Sequence, residues 1–88
     1  MAFPGGSAYA MARDVAEGYL LVTERTFKTM NRPELDQVVF ELDRYLRELR
    51  GEVPPQDDLA AVQQRQRKMQ RLNSAISMVR SYRMKFKT

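Results

Sequence analysis

The fold is decided by residues 31–51, NRPELDQVVFELDRYLRELRG. Leu35, Leu42 and Leu49 recur every seven residues, and further apolar residues lie between them. Apolar side chains at this spacing form one stripe along a helix, with charged residues on the opposite side. The stripe is wide enough to pack on more than one neighbour. The segment therefore predicts a helix at about 32–50 in an all-α protein.

The ends of this helix are marked by residues with capping preferences. Asn31 and Glu34 stand three apart, which is the spacing of a capping box, although Asn replaces the usual Ser or Thr. Pro33 lies in the first turn, where its missing N–H costs little. Gly51 comes after the last apolar residue and suits a left-handed C-cap. These residues predict both ends of the helix.

A helix is also predicted before this segment, at about 8–30. Ser7 is a suitable N-cap, and apolar residues follow it at spacings of three and four. Gly18 and three threonines weaken this prediction, because they are poor residues for a helix interior. A strand through residues 19–29 is the alternative. Residues 1–6 are predicted to form a flexible arm.

The C-terminal part of the chain predicts a third helix at about 58–86. Residues 51–56 contain Pro54 and Pro55 and predict a stiff connector, after which Asp57 or Asp58 caps the helix. A short connector between two long helices favours an antiparallel hairpin. The three helices together predict a single helical domain that spans residues 1–88.

The third helix is longer than its predicted neighbour, so part of it needs another surface to pack against. The residues predicted to form a protein interface are Leu72, Ile76, Val79 and Phe86. A chain of 88 residues also buries a smaller share of its surface than a domain of ordinary length. The overhanging part must therefore pack on the first helix, on a second copy of the chain or on a different protein, and a helical-bundle homodimer is the favoured prediction.

The composition excludes several classes of function. The chain contains no cysteine and no histidine, which removes disulfides, thiolate metal sites, cysteine nucleophiles and histidine bases. The sequence shows no catalytic constellation, cofactor motif or metal-ligand cluster, so we expect no enzymatic activity and no small-molecule substrate. Its longest apolar run, residues 20–22, is far too short to cross a membrane. A cytoplasmic location is expected.

Charge is divided unevenly along the chain. Residues 1–58 carry seven Lys/Arg and eleven Asp/Glu, a net charge of −4, whereas residues 59–88 carry eight Lys/Arg and no acid, a net charge of +8. Arg65, Arg67, Lys68 and Arg71 are candidate nucleic-acid contacts, because such side chains neutralise phosphates. A solvated helix face and pairing with the acidic residues of the first two helices are the other two interpretations. The basic run lacks the interleaved aromatic residues that single-strand binders use.

These features together predict a non-enzymatic helical protein–protein interaction module that self-associates. A small adaptor, a chaperone-like protein and a subunit of a complex all fit this description. The alternative is a small basic nucleic-acid-binding protein that contacts phosphates through the third helix.

Overall fold

The computed structural model describes residues 6–85, which form four helices that pack against each other and no strand. The predicted all-α fold is confirmed. None of these helices combines the length and the apolar composition needed to cross a bilayer. In chain order the helices are α1 (Ala8–Glu17), α2 (Glu24–Lys28), α3 (Arg32–Gly51) and α4 (Leu59–Met84).

The predicted capping box starts α3. The Asn31 side-chain oxygen accepts a hydrogen bond from the Glu34 backbone N–H at 3.0 Å, and Glu34 Oε1 accepts one from the Asn31 N–H at 2.8 Å. The predicted left-handed cap at Gly51 is wrong, because Gly51 is the last helical residue and Glu52 follows it in an extended conformation. A left-handed cap would satisfy the last carbonyls of the helix. Arg65 of α4 instead donates hydrogen bonds to carbonyls in the last turn of α3.

The predicted helix over residues 8–30 is wrong, because the chain breaks into two helices there. Gly18 ends α1 in the left-handed conformation, at φ 84°, and its N–H donates to the Val15 carbonyl at 3.2 Å. Residues 19–23 are neither helix nor strand, so the alternative strand is wrong as well. Thr23 then caps α2, and its backbone N–H donates to Thr26 Oγ1 at 3.2 Å.

A non-helical segment, residues 52–58, joins α3 to α4. Asp58 caps α4, with its Oδ1 accepting from the Ala61 N–H at 3.1 Å. The helix ends at Met84, two residues before the predicted end. Phe86 and the first five residues of the predicted arm lie outside the described residues.

The core lies where α1, α2 and α3 meet the second half of α4. Phe27 of α2 is fully buried, and its ring centroid lies 5.9 Å from that of Tyr82 on α4. Buried residues of α4 are confined to the range 72–79, so its first half contributes no fully buried side chain. Further large buried side chains come from α1 and α3, and they include Met11, Val15, Leu35, Val38, Leu42 and Leu46.

Candidate functional site

The candidate site is built around the basic residues of α4, beginning with Arg65. Its Nε–H donates to the Leu49 carbonyl at 2.8 Å, and an Nη2–H donates to the Arg50 carbonyl at 3.2 Å. These carbonyls lie in the last turn of α3, where backbone oxygens have no partner within the helix. A cation is also favoured there by the helix dipole. Arg65 therefore caps α3 from a different helix.

Arg71 has the corresponding role at the end of α1. Its Nη1–H donates to the Ala16 carbonyl at 2.9 Å. The guanidinium lies directly against Gly18, where an added Cβ would stand 3.1 Å from Arg71 Cζ. Glycine at this position thus permits both the left-handed turn and the close approach of Arg71.

Lys68 forms an ion pair with the last residue of α1. Its Nζ lies 2.9 Å from Glu17 Oε2, and both side chains are about two-thirds or more shielded from solvent. The hydrogen bond from Lys68 to Glu17 raises the pKa of Lys68, and partial burial opposes this shift. Lys68 and Arg71 together attach the first half of α4 to the C-terminal end of α1.

The cations near the end of α4 pair with carboxylates of α2 and α3, on more exposed surface. Lys85 holds the pKa of the Glu24 carboxyl below its ordinary value through their hydrogen bond and charge attraction. The nitrogen–oxygen distances are 3.3 Å for Arg80–Asp43, 3.1 Å for Arg83–Asp36 and 2.6 Å for Lys85–Glu24.

Arg67 differs from the other basic residues of α4. Residues 59–85 contain seven Lys/Arg side chains, and six of them bind groups of the chain itself. Arg67 is exposed and forms no hydrogen bond or ion pair with any residue in the range 6–85. Of the four candidate nucleic-acid contacts, the structure therefore engages three internally and leaves only Arg67 available.

The residues predicted to form a protein interface lie inside the chain. Leu72 and Val79 are fully buried and Ile76 is 5% exposed, whereas Phe86 lies outside the described residues. The prediction assumed that the end of α4 extends beyond its neighbours. The break at Gly18 instead lets α1 and α2 pack against that part of α4. These three residues are thus not on the surface that the described chain presents to a partner.

An apolar groove lies between residues 18–23 and α4. We call it the α1–α4 groove; its volume is about 430 Å³. Leu21, at its edge, is 86% exposed. The apolar side chains that line it are Val15, Leu20, Leu21, Val22, Ala75 and Met78, and the lining also includes Arg67, Arg71 and Ser74.

A basic pocket of about 230 Å³ adjoins the α1–α4 groove. Arg67 and Arg71 line both concavities, so the two form one continuous surface. The basic pocket is completed by Glu17, Gln64 and Lys68. Three cations and one carboxylate give it a net charge of +2. The combined site is therefore an apolar groove with a positively charged end.

Tyr9 and Tyr45 form a packing contact away from this groove. The rings of Tyr9 and Tyr45 have centroids 6.2 Å apart, and the Arg44 guanidinium lies 5.7 Å from the centre of the Tyr9 ring. Burial, more than the nearby carboxylates, raises the pKa of the Tyr45 hydroxyl. No group of three or more acidic side chains within residues 6–85 is placed to hold a metal ion.

Comparison of the chain with protein-family models, curated proteins and solved structures finds no match. The features that bear on function are therefore the geometry of the α1–α4 groove and the contacts of the basic residues.

Proposed function

We propose that this protein is a non-enzymatic helical interaction module that binds another protein chain through the α1–α4 groove. The observation that carries the proposal is the exposure of Leu21, at 86%, beside a groove with an apolar lining. Contiguous apolar surface on a small protein is a common mark of a protein-binding site. A partner that covers Leu21 and Met78 would remove this surface from water.

The scaffold in this proposal is the predicted antiparallel hairpin of α3 and α4. Two contacts support opposite directions for these helices. Asp36, near the start of α3, pairs with Arg83, near the end of α4. Leu49, near the end of α3, accepts a hydrogen bond from Arg65, near the start of α4. The hairpin gives the groove one rigid wall, since α4 lines it along several turns.

A second copy of the chain is the alternative partner, and it would use a surface that differs from the predicted one. A dimer with a shared core of Leu72, Ile76 and Val79 would require α4 to leave the other helices of its own chain. A second copy that binds without unfolding would therefore use the exposed groove. We place the protein in the cytoplasm, as its composition suggests.

A nucleic-acid-binding function receives less support from the geometry. Phosphate contacts need cations with free donors. Arg65, Lys68 and Arg71 already donate to the chain's own carbonyls or to Glu17. Each of these contacts occupies only part of the side chain's donors, so Arg67 is the one of the four candidates whose donors are all free within the described chain.

The proposal is tested by photo-crosslinking in cells that produce the protein naturally. Leu21 is replaced by the photoreactive residue benzoylphenylalanine, which would lie at the edge of the groove. The matched control places the same residue at Phe40, which is 58% exposed on α3 and is not part of the groove lining. We expect irradiation to give discrete protein adducts from position 21 and none of the same mass from position 40.

The mass of the adduct distinguishes the possible partners. An adduct of twice the chain mass identifies a second copy, and another discrete mass identifies a different protein. Both outcomes support an interaction module. The proposal is wrong if position 21 gives no adduct, if both positions give the same adducts, or if nuclease treatment removes them.

A further inference from the structure

We infer that the α1–α4 groove binds an acidic amphipathic segment of a different protein, whose apolar side chains fill the groove and whose carboxylate pairs with Arg67. This inference rests on the proposed function and specifies the chemistry of the partner. It depends on the charges beside the groove and on the one cation of residues 59–85 that the described chain leaves unpaired.

Arg67 is the exception among the cations of α4. Six of the seven Lys/Arg side chains in residues 59–85 bind groups of the same chain, so pairing is the rule along this helix. Arg67 lies where the apolar groove meets the basic pocket, and it lines both. An arginine can bind a carboxylate through two parallel hydrogen bonds. A partner carboxylate at this position would complete the pairing.

The spacing along α4 sets the form of the partner segment. Arg67, Arg71, Ser74 and Met78 are separated by three or four residues, so they lie on one side of the helix. The distance from Arg67 to Met78 along the axis is about 16 Å, at 1.5 Å per residue. A partner helix lying along this side would place its carboxylate about three turns from the apolar residues that contact Met78 and Leu21.

Charge also argues against a second copy as the occupant. A symmetric dimer uses the same patch on both chains, so the patch must complement itself. The basic pocket has a net charge of +2, and two such pockets facing each other would repel. An acidic segment of a different chain matches the pocket, and its apolar residues match the groove.

The test extends the crosslinking from position 21 by identifying the residues in the adduct. The crosslinked partner peptide is digested and sequenced by mass spectrometry. We expect a segment of net negative charge, with apolar residues three and four apart. The same probe is then combined with Arg67→Glu or with the matched control Arg47→Glu, which reverses an exposed arginine of α3 that makes no contact with the groove.

Reversal of Arg67 should lower the adduct yield at least about tenfold, because it opposes two negative charges in a desolvated contact. Reversal of Arg47 should leave the yield within about twofold, because a distant exposed charge is screened. Changing the facing acidic residue of the partner to lysine should restore the adduct with Arg67→Glu. Thermal melts of both variants, within a few degrees of the parent, verify that they fold.

Several results would overturn this inference and leave the proposed function standing. They are an adduct with a neutral or basic segment, an adduct with a second copy of the chain, and a yield that does not depend on Arg67. Absence of any protein adduct from position 21 overturns both proposals.

Discussion

The two halves of α4 are attached to the rest of the protein in different ways. Residues 72–84 contain every buried side chain of the helix, including Leu72, Ile76 and Val79. Residues 59–71 contain none; Met69 packs against the core while only partly buried, and Arg65, Lys68 and Arg71 make polar contacts with the other helices. One half is therefore held by apolar burial, and the other mainly by donors placed on the ends of α1 and α3.

This difference shows what a basic, glutamine-rich helical segment can contribute to folding. A neutral side chain could not satisfy the last carbonyls of a neighbouring helix and complement its dipole at the same time. Long arginine side chains reach these carbonyls without burying the helix that carries them. The first half of α4 thus stays exposed on one side, and that side forms the charged end of the α1–α4 groove.

The largest expected effect on stability is the difference between two leucine-to-alanine substitutions, one in each half of α4. Leu72→Ala removes a fully buried side chain and should lower the free energy of unfolding by about 3 kcal/mol. Leu59→Ala changes a residue that is 69% exposed, so its effect should stay within about 0.5 kcal/mol. Urea unfolding of both variants measures the difference. Equal losses would show that the two halves do not differ in burial.

A smaller effect is expected where the first half of α4 meets α1. Gly18→Ala forces a left-handed residue with a Cβ against the Arg71 guanidinium, which should cost about 1 to 2 kcal/mol. Gly51→Ala is the matched control, because Gly51 is helical and has open space around its Cα. It should stabilise the protein by up to about 1 kcal/mol. Thermal unfolding should thus shift in opposite directions, and a shift in the same direction would contradict this account of Gly18.

The Lys68–Glu17 pair predicts a loss of stability in alkaline solution. The pKa of Lys68 is raised in the folded protein, mainly by its hydrogen bond to Glu17. The pair therefore stabilises the fold below the unfolded pKa of lysine, and this contribution disappears as pH rises through the folded value. Unfolding followed from pH 8 upward should show stability falling above about pH 10.

Two variants separate the contributions of Lys68 and Tyr45 to the alkaline loss of stability. Lys68→Gln should make the alkaline loss less steep, because the residue that holds the extra proton is gone. The raised pKa of Tyr45 contributes a loss in the same direction, so Tyr45→Phe should remove a second part of it. An unchanged pH profile in Lys68→Gln would show that the Glu17 pair does not contribute to stability.

The smallest effect is expected for the exposed pairs of the second half. Arg80 and Asp43 lie 3.3 Å apart, but the Arg80 side chain is 58% exposed. Exposed ion pairs contribute little, because water and salt screen them. Arg80→Gln should change the free energy of unfolding by less than about 0.5 kcal/mol in chemical denaturation. A larger loss would mean that the cations of the second half of α4 contribute to stability as much as those of the first half.

The sequence predicted the parts of the fold that depend on local preference. The Leu35, Leu42 and Leu49 stripe and the Asn31–Glu34 capping box placed α3 within one residue of each end. Ser7 and Asp58 cap their helices as expected. These features depend on neighbours in the chain, so they can be read without knowledge of tertiary contacts.

The two errors at helix ends have different origins. Gly18 was identified as a weak point in a long helix, but it ends α1 by a local left-handed cap, in which the Gly18 N–H donates to the Val15 carbonyl and the Tyr19 N–H to the Asp14 carbonyl. The predicted left-handed cap at Gly51 is wrong, and Arg65 of another helix donates to the Leu49 and Arg50 carbonyls at that end.

The candidate site was only partly visible in the sequence. Arg67 and the basic run were identified, together with their possible pairing with acidic residues. The α1–α4 groove was missed because it exists only after the chain breaks at Gly18. The one available signal was the apolar run of residues 20–22 directly after that glycine.

The central claim is that the basic residues of the first half of α4 hold the protein's own helices together. Urea unfolding of the variant with Arg65, Arg67, Lys68 and Arg71 all changed to glutamine tests it most directly. Glutamine is a similarly good helix former, so helix propensity stays nearly constant. We predict that the free energy of unfolding falls by about 2 kcal/mol at low salt. This loss should be smaller at high salt, because salt screens the Lys68–Glu17 attraction. Arg67→Gln alone should cause no measurable change in the free energy of unfolding. A quadruple variant that unfolds at the same urea concentration as the parent would contradict the claim.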